Sequence, residues 1–178
     1  MADATTSTYP EAPLGRPEGR YSTGQIAAHW TVVFLILFQY ATGDAMSAAY
    51  RQGVAQGVLP PDGILVVHGL IGSSILAAML WRLALRFRYG APPPPETLSR
   101  PLQIVSRAVH YAFYVALIGM PLFGMAALWL KIGILGTLHA LTAYVVVGLA
   151  VAHVAGALYH IWKRDGTIGR ITRGQSMP

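Results

Sequence analysis

Four histidines, His29, His68, His139 and His153, lie inside long apolar stretches of the chain. A neutral imidazole binds metal through one ring nitrogen, and histidine exchanges protons near neutral pH. Inside a membrane span an ionisable side chain is costly and marks a functional site by default. His139 and His153 are 14 positions apart. At ~3.6 residues per turn that is about 40° short of four full turns, so on one helix they share a face. The rise of ~1.5 Å per residue separates them by ~21 Å along the axis. One helix would thus offer an imidazole towards each side of a membrane.

The rest of the chain supplies the elements that must position them. Of 178 residues, 54% are hydrophobic and 11% charged, too apolar for an ordinary soluble domain. Four runs are long enough to cross a hydrocarbon core, which needs about 20 apolar residues each. They cover residues 25–43, 64–85, 105–130 and 136–162. Of the 13 lysines and arginines, only Arg51 and Lys131 fall on one side of these spans; the other 11 fall on the opposite side. Cytoplasmic connections carry the excess of basic residues, so both termini are expected inside. The formal charge of +6 therefore reads as membrane topology rather than nucleic-acid binding. In this topology His29 and His153 share the inner depth, and His68 and His139 share the outer one.

Cysteine is absent, which excludes thiolate metal sites, iron–sulfur clusters and covalent haem attachment. Zinc wants three or four protein ligands. Two imidazoles per depth fall short, and no span contains Asp or Glu. Six-coordinate haem iron needs two axial ligands, because the porphyrin supplies the rest. Two pairs therefore point to two non-covalent b haems in the core of an antiparallel four-helix membrane bundle. Taken singly, a histidine in a span is equally an interhelical hydrogen-bonding group. Gly69 and Gly72 beside His68, and Gly148 and Gly156 around His153, are small enough for a flat cofactor or for close helix packing. Arg82 and Arg86 are one turn apart; they either snorkel or, Arg82 above all, pair with a haem propionate. Trp30, Trp81, Trp129 and Trp162 near the span ends read as an aromatic belt. His160, two turns beyond His153, and His110, early in the third span, could each line a polar pocket at the cytoplasmic boundary.

Residues 1–21, with Pro10, Pro13 and Pro17, read as a mobile arm. Residues 22–170 form the transmembrane domain and 171–178 a cytoplasmic tail. Ser22 and Gln25 fit a capping box opening the first helix. Pro92 to Pro95 favour a stiff extended spacer between the second and third spans. An external loop is expected over 44–63 and a short one over 131–135. Pro121 inside the third span is tolerable where neighbouring helices satisfy the freed carbonyl.

Taken in order, these residues resemble the bacterial cytochrome b561 family. The resemblance runs from Tyr21 to Arg170. It rests on Tyr21-Ser22 leading to His29-Trp30, on His68-Gly69 with Gly72, on Trp81-Arg82-Leu83 and on the prolines ending at Pro95. His110, Met120-Pro121-Leu122-Phe123-Gly124, His139, His153 and Trp162-Lys163-Arg164-Asp165-Gly166-Thr167 complete it. It implies b haems on His29, His68, His139 and His153, electron exchange with ubiquinone or another quinone, and in some members superoxide oxidation on the outer side. The expected function is electron transfer across the inner membrane between an outer redox partner and quinone, with His160 and His110 as candidate quinone-site residues. A quinone-linked oxidoreductase would be its enzymatic form. The rivals are an electron-transfer anchor of a dehydrogenase or hydrogenase complex, a superoxide:quinone oxidoreductase, and a metal or proton transporter. The second external connection carries a single lysine, which argues against a basic funnel for an anion. A transporter would normally place carboxylates or broken helices at mid-membrane.

Overall fold

Ser22 and Gln25 close a capping box at the start of the first helix. The Ser22 amide donates to Gln25 Oε1 at 3.0 Å, and the Gln25 amide donates to Ser22 Oγ at 3.3 Å. Such a cap contributes about 1 kcal/mol and fixes where the helix begins. The computed structural model describes residues 20–56, 62–93, 98–130 and 132–172. They form α1 (Thr23–Ala55), α2 (Asp62–Tyr89), α3 (Arg100–Leu130), α4 (Gly133–Lys163) and α5 (Thr167–Thr172). The first four are long and apolar enough to cross a membrane. The expected arm, most of the C-terminal tail, Lys131 and the end of the proline run lie outside the described residues.

Two boundaries differ from expectation. α1 continues to Ala55, so much of the first external loop is helix. Asp44-Ala45-Met46-Ser47-Ala48-Ala49 contains no proline or glycine, and nothing stops the helix where the hydropathy falls. α5 was not expected at all; it follows α4 after the left-handed Arg164 (φ 52) and Gly166 (φ 76). The other stop is Gly90 (φ 71), whose amide donates to the Arg86 carbonyl at 2.7 Å and ends α2.

α3 packs most closely on α4 and α1 on α2, with α2 against α3 completing the bundle. Its core lies at mid-membrane: Val32, Ile75, Ala78, Met79, Ala116, Leu117, Met120 and Val146. α1 and α4 are joined by side chains, the Tyr40 hydroxyl donating to the Ala143 carbonyl. Large apolar side chains such as Phe34, Val115 and Trp162 are mostly exposed. In water that would be an aggregating surface; in a bilayer it is the lipid-facing wall. Two hydroxyls in the spans are satisfied within their own helices: Ser74 donates to the Leu70 carbonyl at 2.8 Å and Thr142 to the Leu138 carbonyl at 2.7 Å.

The basic end of the bundle is stitched by long-range bonds. Gln25 Nε2 donates to the Gly90 carbonyl at 3.0 Å, Trp30 Nε1 to that of Ile171 at 3.2 Å, and Arg170 to that of Pro93 at 2.9 Å. The start of α1, the end of α2 and α5 therefore share one level.

Candidate functional site

The four histidines meet in two pairs. His68 and His139 have ring centroids 5.9 Å apart, and His29 and His153 6.2 Å apart. A metal–imidazole bond is about 2 Å long. Adding about 1 Å from nitrogen to ring centre on each side, two rings facing across one metal ion are separated by about 6 Å. Both pairs fit that spacing. Among the described residues, no group of three or more His, Asp or Glu side chains is placed to hold a metal ion. Two-ligand sites of this kind suit an iron whose other four bonds come from elsewhere.

His139 is the most firmly held ring. Its Nδ1–H donates to the Met120 carbonyl across the α3–α4 interface at 2.8 Å, which leaves Nε2 free to bind a metal. Gly124 makes this approach possible: a Cβ there would lie 2.9 Å from His139 Nδ1. The Met120-Pro121-Leu122-Phe123-Gly124 segment is therefore the seat of His139. Near His29 the contact is different. Arg82 lies 2.7 Å from His29 Nδ1, and since arginine only donates, that nitrogen accepts and the ring proton sits on Nε2.

His153 has neighbours besides His29. His110 lies 5.2 Å from it and Phe113 5.7 Å, both edge-on. The His110 Nδ1–H donates to the Ser106 carbonyl of its own helix at 2.6 Å. His110 thus sits within the inner cluster. The glycines divide. Gly72 lies against the Gln39 amide, 3.6 Å from where its Cβ would be, whereas a Cβ at Gly69, Gly148 or Gly156 would meet nothing within 4 Å. These three are exposed, so close helix packing is not what they serve here.

His160 gained a partner that sequence reasoning missed. Its Nδ1 lies 2.6 Å from Asp165 Oδ2, with the two side chains 14% and 7% exposed. The turn after α4 brings this carboxylate back, and Asp165 Oδ1 accepts the Thr167 amide at 3.0 Å to start α5. Burial pushes the Asp165 carboxyl upward, but the hydrogen bonds from His160 and Thr167 outweigh it and hold it below its ordinary range. It is therefore a carboxylate at neutral pH, and becomes neutral only as pH falls through that depressed value. At the same end, a crevice of about 340 Å³ opens between α2 and α3, with Arg86, Phe87, Gly90, Tyr111 and Tyr114 in its wall. Gln39, 8% exposed in α1, is the other missed residue and lies against His68.

Comparison with known proteins gives three findings. The family described as prokaryotic cytochrome b561 matches residues 20–174. Cytochrome b562 of Cereibacter sphaeroides is 31% identical over 143 residues, covering 80% of this chain and 88% of that protein. The probable superoxide oxidase CybB of Yersinia pestis is 27% identical over 176 residues, covering 85% of this chain and 95% of that protein.

Proposed function

The chain belongs to the prokaryotic cytochrome b561 family, and on that premise we propose that it carries electrons across the bacterial inner membrane through two bis-histidine b haems, between an outer redox partner and membrane quinone. Family and fold make it a multi-pass membrane cytochrome of b type with haem b as its cofactor. The observation that carries the finer reading is the pairing of four imidazoles at two depths with ring separations of 5.9 and 6.2 Å. Haem, when bound, supplies the one-electron chemistry. The protein's share is to hold, orient and bury it.

In this reading His68 and His139 hold the outer haem, and His29 and His153 the inner one. Ligation through His29 Nε2 would move the ring proton to Nδ1 and free Arg82 for an anion such as a propionate, the role expected of it. The basic residues gathered at one end of the bundle support an inside location for both termini. Reporter fusions after Ser176 and within residues 51–58 should then report opposite sides, and an outside signal from the C-terminal fusion would reverse the haem order.

In this reading His160 belongs to the quinone site, with His110 as second candidate. Quinone reduction takes up two protons, so the site wants a proton-exchanging group near water. Asp165 accepts the Nδ1–H of His160 and leaves Nε2 to take the hydroxyl proton of a quinol or, once it carries a proton, to give one to a quinone carbonyl, the orienting logic of a base held by a third group. His160→Ala and Asp165→Asn should keep both haem spectra but slow quinone-dependent haem oxidation by about tenfold or more, as for the loss of one general acid–base group. Unchanged rates with haem intact would remove His160 from the site.

The similarity to a probable superoxide oxidase favours a second reading, in which superoxide is the outer electron donor. Arg51 is the one cation on the described outer surface. Rapid mixing with superoxide decides: haem reduction at a rate that Arg51→Ala lowers would favour it.

A further inference from the structure

An amide buried in the middle of an apolar helix demands partners. Gln39 Nε2 lies 3.1 Å from Nδ1 and 3.2 Å from Nε2 of His68, and donates to the His68 backbone carbonyl at 3.2 Å. Its Oε1 is buried with no hydrogen-bond partner. Gly72, one turn after His68, lines the same spot: a Cβ there would be in ordinary contact with the amide at 3.6 Å.

We propose that Gln39 is the positioning residue of His68: it orients the ring and tunes the iron bound there through the ring nitrogen that is not a ligand. The inference rests on the bis-histidine reading above. Ligation by one ring nitrogen puts the proton on the other, and a buried N–H needs an acceptor. The amide nitrogen cannot accept, but the unpartnered oxygen belongs to the same group. The last torsion of glutamine is broad and roughly two-fold. Nearly equidistant from the two ring nitrogens, the amide lies over the ring face; a turn of the His68 ring that brings its N–H into line, with a half-turn of the amide away from the His68 carbonyl, offers Oε1 as the acceptor. His139 has the equivalent acceptor already, in the Met120 carbonyl. Both ligands of the outer pair would then have a defined tautomer, one set by backbone and one by Gln39. Acceptors behind a ligating histidine fix its orientation and raise its basicity, with effects of about 10- to 100-fold.

The test is a redox titration of the purified protein followed by haem absorbance, with the ferric low-spin electron paramagnetic resonance signal as a second readout. The outer wave is identified as the one lost in His68→Ala. Removing the acceptor in Gln39→Leu weakens the ligand and disfavours the ferric form. The outer wave should move upward by about tenfold in the ferric/ferrous ratio, about 59 mV for a one-electron couple, and its resonance signal should shift while the inner wave stays put. Gln39→Met, unbranched and similar in length, gives the same expectation if the leucine variant does not accumulate. An outer wave that does not move, or an inner wave that moves equally, overturns the role of Gln39 and leaves the two-haem reading standing. If His68→Ala loses no wave, the two-haem reading fails and this inference with it.

Discussion

Alanine at His68 or at His139 should halve the haem content of the purified protein, and both substitutions should remove the same b-type spectral component. The two rings lie 5.9 Å apart on α2 and α4, and neither has another histidine within ring contact among the described residues. Losing one removes an axial bond that no neighbour can replace. His139 carries the stronger expectation, because its Nδ1–H is fixed on the Met120 carbonyl and its ring rests on Gly124. A pyridine haemochrome assay against chain concentration reads the stoichiometry, and the reduced absorbance band shows which component has gone. If His68→Ala and His153→Ala remove the same component, the depth pairing is wrong.

The inner pair makes the sharper expectation, because the structure offers His153 two companions. His29→Ala should lose the inner haem and His110→Ala should keep it. The reason is space. His110 stands on α3, which packs more closely on α4 than any other helix does, and its ring is only 5.2 Å from that of His153. That is short of the about 6 Å expected across a metal. His29 stands on α1, which meets α4 through side chains, and its ring is at 6.2 Å. A His110 variant lacking the inner haem, with a His29 variant retaining it, would make His110 the ligand and move the inner haem to the α3–α4 side.

Much of this was legible in the sequence. The spans follow from hydropathy, the first helix start from Ser22 and Gln25, and the shared face of His139 and His153 from helical arithmetic. The depth pairing needed only four alternating spans and the place of each histidine along its own; the arginine asymmetry adds which depth is expected inside. What stayed hidden depends on rotation about the helix axis. Lipid-facing helices are apolar all round, so their periodicity does not reveal which face meets a neighbour. That is why Gln39 passed unnoticed, and why His110 was expected at the boundary rather than beside His153. Asp165 was visible five positions after His160, but only the left-handed turn at Arg164 and Gly166 brings it back. The length of α1 was missed because the loop was inferred from falling hydropathy, although residues 44–55 hold only one helix-weakening glycine, Gly53.

The central claim is that each chain holds two b haems on four histidines. The most direct measurement is the pyridine haemochrome content of the purified wild-type protein, with chain concentration taken from quantitative amino-acid analysis. Two haems b per chain is the expected result. One or none in a well-folded preparation would contradict the account.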